Sequence, residues 1–372
     1  MIGTRPEAIK LAPVAQALAE RGLPSTLVFT GQHPGLEPDE FELVGFPAER
    51  LDCAGEEDPH RHVGTVTFAL LRRFASPPDL IVVQGDTSSA LGAALAAFSA
   101  GVAVAHVEAG LRTHDPQLPW PEEEYRTAID AQADLLFAPT PFAAANLRAE
   151  GVPGEIHVTG NTSIDAVLAV EADLPPARRQ GGGLPQLLVT AHRRESWDEG
   201  LHAIATVLRE LASEAIIDFV LHPNAYVAAT MRELLGGKEN IRLLEPCSHR
   251  ELIQRMRAAD LILSDSGGMQ EEAPALGIPL LILRDRTERP EAIASGNMLL
   301  VGRDPDLIEN TVARLLDDPA ILSAMRRPSY PYGDGRASQR IADEIVSWLR
   351  RGVRPAEPRS PSLRSTTVPV AQ

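Results

Sequence analysis

Short apolar runs alternate with longer amphipathic or alanine-rich stretches along most of the chain, and this alternation constrains the fold more than any other feature. It is typical of βα units built around parallel sheets, so we predict an α/β protein. The predicted strands lie at 25–30, 80–84, 102–107, 135–138, 187–190, 216–221, 261–264 and 279–283. The predicted helices include 88–99, 141–149, 163–171, 201–212, 225–235, 250–258 and 307–316.

A segment rich in proline and glycine, Leu174 to Pro185, divides this series into two halves. We therefore predict a Rossmann-like domain over 1–172, a linker over 173–186 and a second Rossmann-like domain over 187–335. Residues 352–372 are rich in proline and serine without periodic apolar positions, which predicts a disordered tail.

The first βα unit has an unusual start. Its loop, Gly3-Thr4-Arg5, needs a strand of about five residues before it, whereas only Met1 and Ile2 precede it. We expect either a start further upstream or a truncated first strand.

Charge and cysteine content exclude several function classes. With 35 basic and 51 acidic side chains the formal net charge is −16, which argues against non-specific binding to nucleic acid or to an anionic membrane. The longest uncharged apolar stretch, Leu91 to Ala105, is shorter than a membrane span and is interrupted by Gly101. Cys53 and Cys247 are too few for a disulfide framework. We expect a cytoplasmic protein whose anionic ligands need a local cationic pocket.

Two loops have the pattern of anion sites. Gly3 to Lys10 places Arg5 and Lys10 at a helix start with Pro6, which suits a diphosphate, although a capped helix with solvated charges explains it as well. Ser266-Gly267-Gly268 follows a strand and opens a helix, and Glu272, one turn later, can accept bonds from ribose hydroxyls. The alternative here is an ordinary glycine-rich loop.

Carboxylates follow neighbouring strands and could act as acid and base. Asp86 and Glu108 come directly after predicted strands, and Glu122 starts another helix. At one sheet edge they would raise one another's pKa values. The competing interpretation is a set of capping groups, with Asp86 as the N-cap of the helix that follows. His192, after the strand 187–190, could bind phosphate, act as acid or base, or be structural.

One pentapeptide recurs: Arg5-Pro6-Glu7-Ala8-Ile9 is repeated as Arg289-Pro290-Glu291-Ala292-Ile293. Either two similar helix starts arose by chance, or both arginines flank one interdomain site. No histidine set has the spacing of a metal site, and we expect neither a metal nor a cofactor.

Taken together, the motifs resemble those of the non-hydrolysing UDP-N-acetylglucosamine 2-epimerases, in order from residue 3 to about residue 350. The segments that carry the resemblance are Gly-Thr-Arg-Pro-Glu-Ala-Ile-Lys at 3–10, Thr-Gly-Gln-His at 30–33, Gly-Asp-Thr at 85–87, His-Val-Glu-Ala-Gly-Leu-Arg-Thr at 106–113, Trp-Pro-Glu-Glu at 120–123, Thr-Gly-Asn-Thr at 159–162, His-Arg-Arg-Glu at 192–195, Ser-Asp-Ser-Gly-Gly at 264–268, Gln-Glu-Glu-Ala-Pro at 270–274, Arg-Asp at 284–285, Thr-Glu-Arg-Pro-Glu at 287–291 and Pro-Tyr-Gly-Asp-Gly at 331–335.

The resemblance implies the two-domain glycosyltransferase-B architecture, with the active site in the interdomain cleft and a C-terminal helix over 336–351 that crosses back to the first domain. It implies a homodimer that interconverts UDP-GlcNAc and UDP-ManNAc by anti elimination of UDP, through 2-acetamidoglucal, and re-addition. The implied catalytic residues are Asp86, Glu108, Glu122 and His192. The implied substrate-binding residues are Arg5, Lys10, Arg112, His222, Leu252, Ser266, Gly267, Gly268, Glu272 and Arg289.

Some segments depart from the family's pattern. Gln32 and His33 stand, with altered neighbours, where relatives build a second, activating UDP-GlcNAc site, so we expect that allostery to be weakened or lost. Cys247, Leu252 and His222-Pro223-Asn224 differ near the position implied for uracil, which puts base selectivity in question. The rival functions are an epimerase for a related UDP-sugar, a hydrolysing epimerase, against which Pro6-Glu7 count, a glycosyltransferase, and a non-catalytic nucleotide-sugar sensor.

Overall fold

The strands of the protein run parallel to their neighbours. The computed structural model describes residues 1–176, 183–191 and 199–352, and within these ranges every strand pairing is parallel. The strands are β1 (Leu27–Phe29), β2 (Ala48–Arg50), β3 (Leu80–Gln84), β4 (Ala103–Val107), β5 (Leu135–Ala138), β6 (Glu155–Val158), β7 (Gln186–Thr190), β8 (Ile216–Val220), β9 (Ile241–Leu244), β10 (Leu261–Ser264), β11 (Leu280–Ile282) and β12 (Met298–Leu300).

Helices connect these strands, as parallel pairing requires. They are α1 (Arg5–Glu20), α2 (Pro59–Leu71), α3 (Ser88–Ala100), α4 (Glu122–Asp130), α5 (Pro141–Glu150), α6 (Thr162–Ala172), α7 (Glu199–Leu211), α8 (Ala225–Leu235), α9 (His249–Ala258), α10 (Gly267–Leu276), α11 (Glu291–Ala294), α12 (Pro305–Asp317), α13 (Pro319–Met325) and α14 (Ala337–Arg350).

The second half of the chain, from β7 to α13, forms one continuous six-stranded sheet. Its order is β12-β11-β10-β7-β8-β9, so that β7 lies in the interior of the sheet. Because side chains alternate along a strand, Leu187 and Val189 pack on one face with α7, α8 and α12, while Leu188 packs on the other with α9 and α10. Both faces are therefore covered, as expected for a parallel sheet.

The first half, from Met1 to α6, has two separate sheets, β1-β2 and β3-β4-β5-β6. Ile2 lies between them and bridges to Phe29 of β1, while the amino group of Met1 donates to the Val82 carbonyl of β3 at 2.9 Å. Beside these residues a largely apolar cavity of about 440 Å³ lies between the edges of β1 and β3. Of the residues that the structure describes, only Met1 and Ile2 thus lie between the two sheets.

The chain connects its halves through α6 and α14, which pack against each other. α14 returns to the first half and buries Ile341, Ile345 and Trp348 in the core formed with α1. The two helices also begin side by side: the amide of Asn161 donates to the Tyr332 carbonyl at 2.6 Å. A Cβ on Gly333 would lie 3.0 Å from the Cα of Gly160, so that glycine allows this close approach of the two backbones.

All eight predicted strands are confirmed within one or two residues at each end. The prediction missed β2, β6, β9 and β12. Each of these four strands lies at an edge of its sheet and exposes most of its residues at least in part, so it lacks the continuous apolar run of an inner strand. The domain limits at 172 and 187 stay predictions.

Gly101 ends α3 in the left-handed conformation, with φ 65°, and β4 begins at Ala103, so the predicted turn in the apolar stretch is confirmed. No helix in the described ranges is long and apolar enough to cross a membrane. The middle of the predicted linker (177–182), the segment 192–198 and the predicted tail from 353 onward lie outside the described residues.

Candidate active site

Two cations and two carboxylates from both halves meet at the carboxyl edges of the sheets. Lys10 and Glu108 come from the first half, and Glu271 and Arg289 come from the second; we call these four residues the charge cluster. Lys10 Nζ pairs with Glu108 and lies 2.9 Å from Glu271, while the Arg289 guanidinium lies 2.7 Å from Glu271 and 3.1 Å from Glu108. Each cation therefore touches a carboxylate of its own half and one of the other half.

The members of the charge cluster are buried, with at most 8% of each residue exposed. Burial lowers the pKa of Lys10, but Glu108 and Glu271 outweigh it, so that this pKa lies above its ordinary value. Burial raises the pKa of Glu271, and Lys10 and Arg289 reverse the effect, so that the pKa of Glu271 falls below its ordinary value. The cluster is thus a set of ions stabilised by one another.

Glu108 directly follows β4 and is held from several sides. Its backbone has φ 72°, which a non-glycine residue adopts rarely and at a cost in free energy. Its carboxylate also accepts hydrogen bonds from Gln84 (3.1 Å) and Asn161 (3.0 Å). Donors therefore converge on Glu108 from α1, β3, the loop before α6 and the second half.

Asp86 does not cap the following helix, because the N-cap of α3 is Thr87, whose hydroxyl accepts from the Ala90 amide. Asp86 instead pairs with Arg126 of α4, which also contacts Glu123. Burial lowers the pKa of Arg126, while Asp86, Glu288 and Glu123 raise it above its ordinary value. The nearby charge of Glu288 places this pair beside the charge cluster, since Glu288 also contacts Arg289.

Glu122 is the first residue of α4 and is half-buried. The next residue, Glu123, accepts from the amides of Thr113 and His114 at 2.9 Å each and so ties the loop after β4 to α4. In the structure the carboxylates of Asp86 and Glu108 each lie against cations, and no contact joins them to each other within the described residues.

The start of α10 forms the second-half side of the site. Ser266 is the N-cap, and Gly267 and Gly268 open the helix. A Cβ on Gly267 would lie 3.1 Å from the Arg289 guanidinium, so that only glycine lets Arg289 come this close without displacement. Further along α10, Glu272 lies 3.1 Å from His249. Burial lowers the pKa of His249, and Glu272 outweighs this and raises it.

The loop before α1 presents Arg5 at the first helical position. Thr4 and Glu7 form a capping box, in which Glu7 accepts from the amides of Gly3 and Thr4. The half-exposed Arg5 side chain pairs with Glu40 at 2.8 Å and is not part of the charge cluster. Only the second copy of the repeated pentapeptide therefore places its arginine there.

Gln32 and His33 lie against this loop. Ser89 donates to the Gln32 side chain at 2.7 Å, and the Arg5 amide donates to His33 Nδ1 at 3.5 Å. Burial and Arg5 lower the pKa of His33. The residues predicted as an allosteric remnant are thus direct neighbours of the predicted diphosphate loop.

Arg112 lies in a buried set of ion pairs of its own. The guanidinium donates to both oxygens of Glu150 at 2.7 Å, lies 2.8 Å from Asp130 and is 2% exposed. Asp130 in turn contacts His106 (2.6 Å) and the Gly110 amide (3.0 Å). Arg112 therefore supports the loop after β4, and its substrate contact stays a prediction.

His222 accepts from the Asn224 amide at 3.0 Å, and Leu252, on α9, packs half-buried against the core beside α10. His192, with the rest of its motif, lies outside the described residues. Sequence reasoning assigned no role to Glu271, Arg126 or Asn161. Each lies in or near one of the family motifs, but a lone Asn after a strand is typical of a helix cap, which Asn161 also is.

The arrangement combines a helix start for an anion with buried cations and carboxylates between two halves. Helix N-termini and arginine or lysine side chains bind diphosphate. Carboxylates at the same place can accept and return a proton. The site is therefore suited to a phosphorylated substrate whose reaction includes proton transfer.

Comparison with known proteins gives the family of this chain. The family model for UDP-N-acetylglucosamine 2-epimerase matches residues 16–346. A probable UDP-N-acetylglucosamine 2-epimerase of Ralstonia nicotianae is 40% identical over 94% of this chain and 98% of its own length. The crystal structure of UDP-GlcNAc 2-epimerase from Neisseria meningitidis bound to UDP-GlcNAc is 35% identical, with a TM-score of 0.85 over 93% of this chain and 98% of that one.

The fold extends further than the family. The glycosyltransferase SnogD from Streptomyces nogalater is 17% identical, with a TM-score of 0.52 over 91% of this chain and 95% of that one, a likeness of fold alone. The predicted α/β fold of the glycosyltransferase-B type is confirmed. By sequence and by structure, the chain belongs to the UDP-N-acetylglucosamine 2-epimerase family.

Proposed function

We propose that this chain interconverts UDP-GlcNAc and UDP-ManNAc without releasing free sugar. The observation that carries the proposal is the charge cluster, in which Lys10 and Arg289 from opposite halves hold Glu108 between them. It offers cations for a leaving diphosphate and a carboxylate for proton transfer in one buried place.

The diphosphate lies at the start of α10 in this proposal. Ser266, Gly267 and Gly268 supply the helix N-terminus, and Lys10 and Arg289 supply positive charge. Arg5 joins them by exchanging Glu40 for a phosphate oxygen when substrate binds. Glu272, oriented by His249, accepts bonds from the ribose hydroxyls. His222 and Leu252 lie on the base side of the nucleotide. Lys10 and Arg289 exchange part of their carboxylate contacts for phosphate oxygens when substrate binds.

The chemistry is an elimination followed by an addition. A carboxylate removes the C2 proton, the C2–H electron pair forms the C1=C2 double bond, and the C1–O bond breaks to release UDP with its electron pair. UDP oxygen then adds to C1 as C2 receives a proton on the opposite face. Glu108, surrounded by donors, accepts the first proton, and Asp86, Glu122 or His192 serves the opposite face.

Three further properties belong to the proposal. The enzyme acts as a homodimer, as its resemblance to the family implies. It lacks strong activation by a second UDP-GlcNAc, because Gln32 and His33 hydrogen-bond to the chain's own Ser89 and Arg5. It works in the cytoplasm, where its free thiols Cys53 and Cys247 stay reduced.

Proton NMR of the protein with UDP-GlcNAc in deuterated water tests this function. The expected result is deuterium at C2 together with UDP-ManNAc signals, at a rate independent of added UDP-GlcNAc beyond saturation. Accumulation of UDP with free ManNAc would replace the proposal with a hydrolysing epimerase. Binding without C2 exchange would exclude epimerisation of this substrate.

A further inference from the structure

The repeated pentapeptide makes the same contact twice. In the first copy, Glu7 accepts a hydrogen bond from the hydroxyl of Thr87 at 2.8 Å. In the second copy, Glu291 accepts one from the hydroxyl of Thr140 at 2.5 Å. Each threonine also caps the helix that follows it, Thr87 for α3 and Thr140 for α5. The recurrence therefore extends from the sequence to the partner residue and its place in the fold.

The two contacts differ in what they connect. Glu7 and Thr87 both belong to the first half, and both oxygens of Glu7 are used, because the second accepts from the amides of Gly3 and Thr4. The Glu291–Thr140 bond joins the second half to the first. The other oxygen of Glu291 is buried without a hydrogen-bond partner in the described residues. A single hydrogen bond thus carries the interdomain contact of this side chain.

Glu291 lies two residues after Arg289 and belongs to the segment that fixes it. The carbonyl of Arg289 accepts from the Tyr332 hydroxyl at 2.8 Å, and the same hydroxyl accepts from the Ala292 amide at 3.4 Å. These contacts come from within the second half. Thr140, which follows β5 and is 1% exposed, supplies a contact from the first half.

We propose that Thr140 and Glu291 form an interdomain latch that positions Arg289 for the diphosphate. Glu291 is a positioning residue: it acts through the backbone of Arg289 and does not touch the substrate. The latch rests on the proposed function, since it assumes that Arg289 binds UDP. When the Thr140–Glu291 hydrogen bond forms, Arg289 of the second half contacts Glu108 of the first half. When it breaks, each of these two side chains stays on its own half and the contact between them is lost.

The test uses two variants that remove the bond from opposite ends. Glu291→Ala keeps Thr140 as the cap of α5, and Thr140→Val removes the hydroxyl. Thr140→Ser restores it. The matched control is Glu56→Ala, because Glu56 accepts from the Thr65 hydroxyl at 2.7 Å on the exposed surface of the first half. Calorimetry gives the Kd for UDP, steady-state kinetics separates KM from kcat, and thermal unfolding reports stability.

The latch predicts that Glu291→Ala raises both the Kd for UDP and the KM about tenfold, the size expected for one buried hydrogen bond to a carboxylate, with an unfolding midpoint close to that of the control. Thr140→Val has the same effect on binding, the double variant is no weaker than either, and Thr140→Ser binds like the wild type. A Kd within twofold of wild type in Glu291→Ala, or losses that add in the double variant, would overturn the latch. Failure of the wild type to epimerise would remove the proposed function, whereas the UDP affinities would still decide the latch.

Discussion

The two halves have similar strand orders, apart from the additional edge strand β6 of the first half, but they differ at the centre. In the second half, β7 is a full strand between β8 on one side and β10 on the other. In the first half, Met1 and Ile2 are the only described residues at the corresponding place between β1 and β3, beside the cavity of about 440 Å³. A cavity forfeits packing contacts, so we expect the first half to be the less stable one. The loop that carries Arg5 begins directly after this gap.

The halves also differ in chemistry. The first half supplies the carboxylates Asp86, Glu108 and Glu122 together with Lys10, and the second half supplies the α10 N-terminus and Arg289. This division predicts that variants of the first-half carboxylates act on proton transfer, while variants around α10 act on nucleotide binding.

The largest effect is expected for Glu108→Gln. Loss of a carboxylate that transfers the proton should lower kcat by about 10²–10⁴-fold. The Kd for UDP should not rise, because Lys10 and Arg289 lose one anionic partner and remain available to the phosphates. Single-turnover kinetics and calorimetry would measure both quantities. Equal losses in kcat and in UDP affinity would contradict the division between the halves.

The next effect concerns pH and has opposite signs in the two halves. Burial lowers the pKa of the Met1 amino group from 8.0 to about 6. Because the unfolded chain binds this proton more tightly, the free energy of unfolding should fall by about 2 kcal/mol as pH drops from 8 to 6. Acetylation of the amino group, which the cavity can hold, should remove this part of the pH dependence.

The contrast lies in the second half. Glu272 raises the pKa of His249 despite burial, so His249 stabilises the folded state below its unfolded pKa of 6.5, and this contribution is lost as pH rises through the higher, folded value. His249→Gln should therefore remove a stabilisation present at low pH. Denaturant unfolding across pH 5–9 measures the free energy of unfolding of the wild type, the acetylated protein and His249→Gln. If acetylation and His249→Gln changed the slope of this free energy against pH in the same direction, the predicted opposite signs would be wrong.

A smaller effect is expected for Gly267→Ala. The added Cβ would lie 3.1 Å from the Arg289 guanidinium and displace it, so UDP affinity should fall about tenfold, the cost of one weakened charged hydrogen bond. Gly64→Ala in α2 is the matched control, since a Cβ there meets nothing within 4 Å. Calorimetry with UDP should separate the two variants, and similar affinities would mean that Arg289 tolerates the methyl group.

The smallest effect compares the cores directly. Ala15 of α1 lines the cavity, so Ala15→Leu should raise the free energy of unfolding by about 1 kcal/mol. Ala205 of α7 lies fully buried in the second-half core, where the same change should lower it by about 1–3 kcal/mol through overpacking. Urea unfolding measures both, and destabilisation by Ala15→Leu would show that the cavity is not available to side chains.

The sequence predicted inner strands and missed edge strands, for a physical reason. β10 is buried throughout and stands out as an apolar run, whereas β2 is exposed at all three residues. A strand buried on both faces needs a run of apolar residues, which can be recognised in the sequence. An edge strand is held mainly by backbone hydrogen bonds to its neighbour, which require no particular side chains.

The motifs single out Lys10, Glu108 and Arg289, and the structure brings these three side chains together, while their roles in the reaction stay predictions. The ion-pair partners were not predictable. Arg112 pairs with Glu150, 38 residues away, and Asp86 pairs with Arg126, 40 residues away. Ion pairs between residues tens of positions apart are decided by tertiary packing, and local sequence patterns do not contain this information.

The close approach of Gly160 and Gly333 has a mechanical consequence. The helices that lead from one half to the other, α6 and α14, begin at this one point and remain in contact. Because the chain passes between the halves at two adjacent points, we expect rotation about an axis near the two glycines to be the easiest movement of one half relative to the other. Asn161 lies beside this axis and donates to Glu108, so we expect this part of the site to move least when the cleft opens.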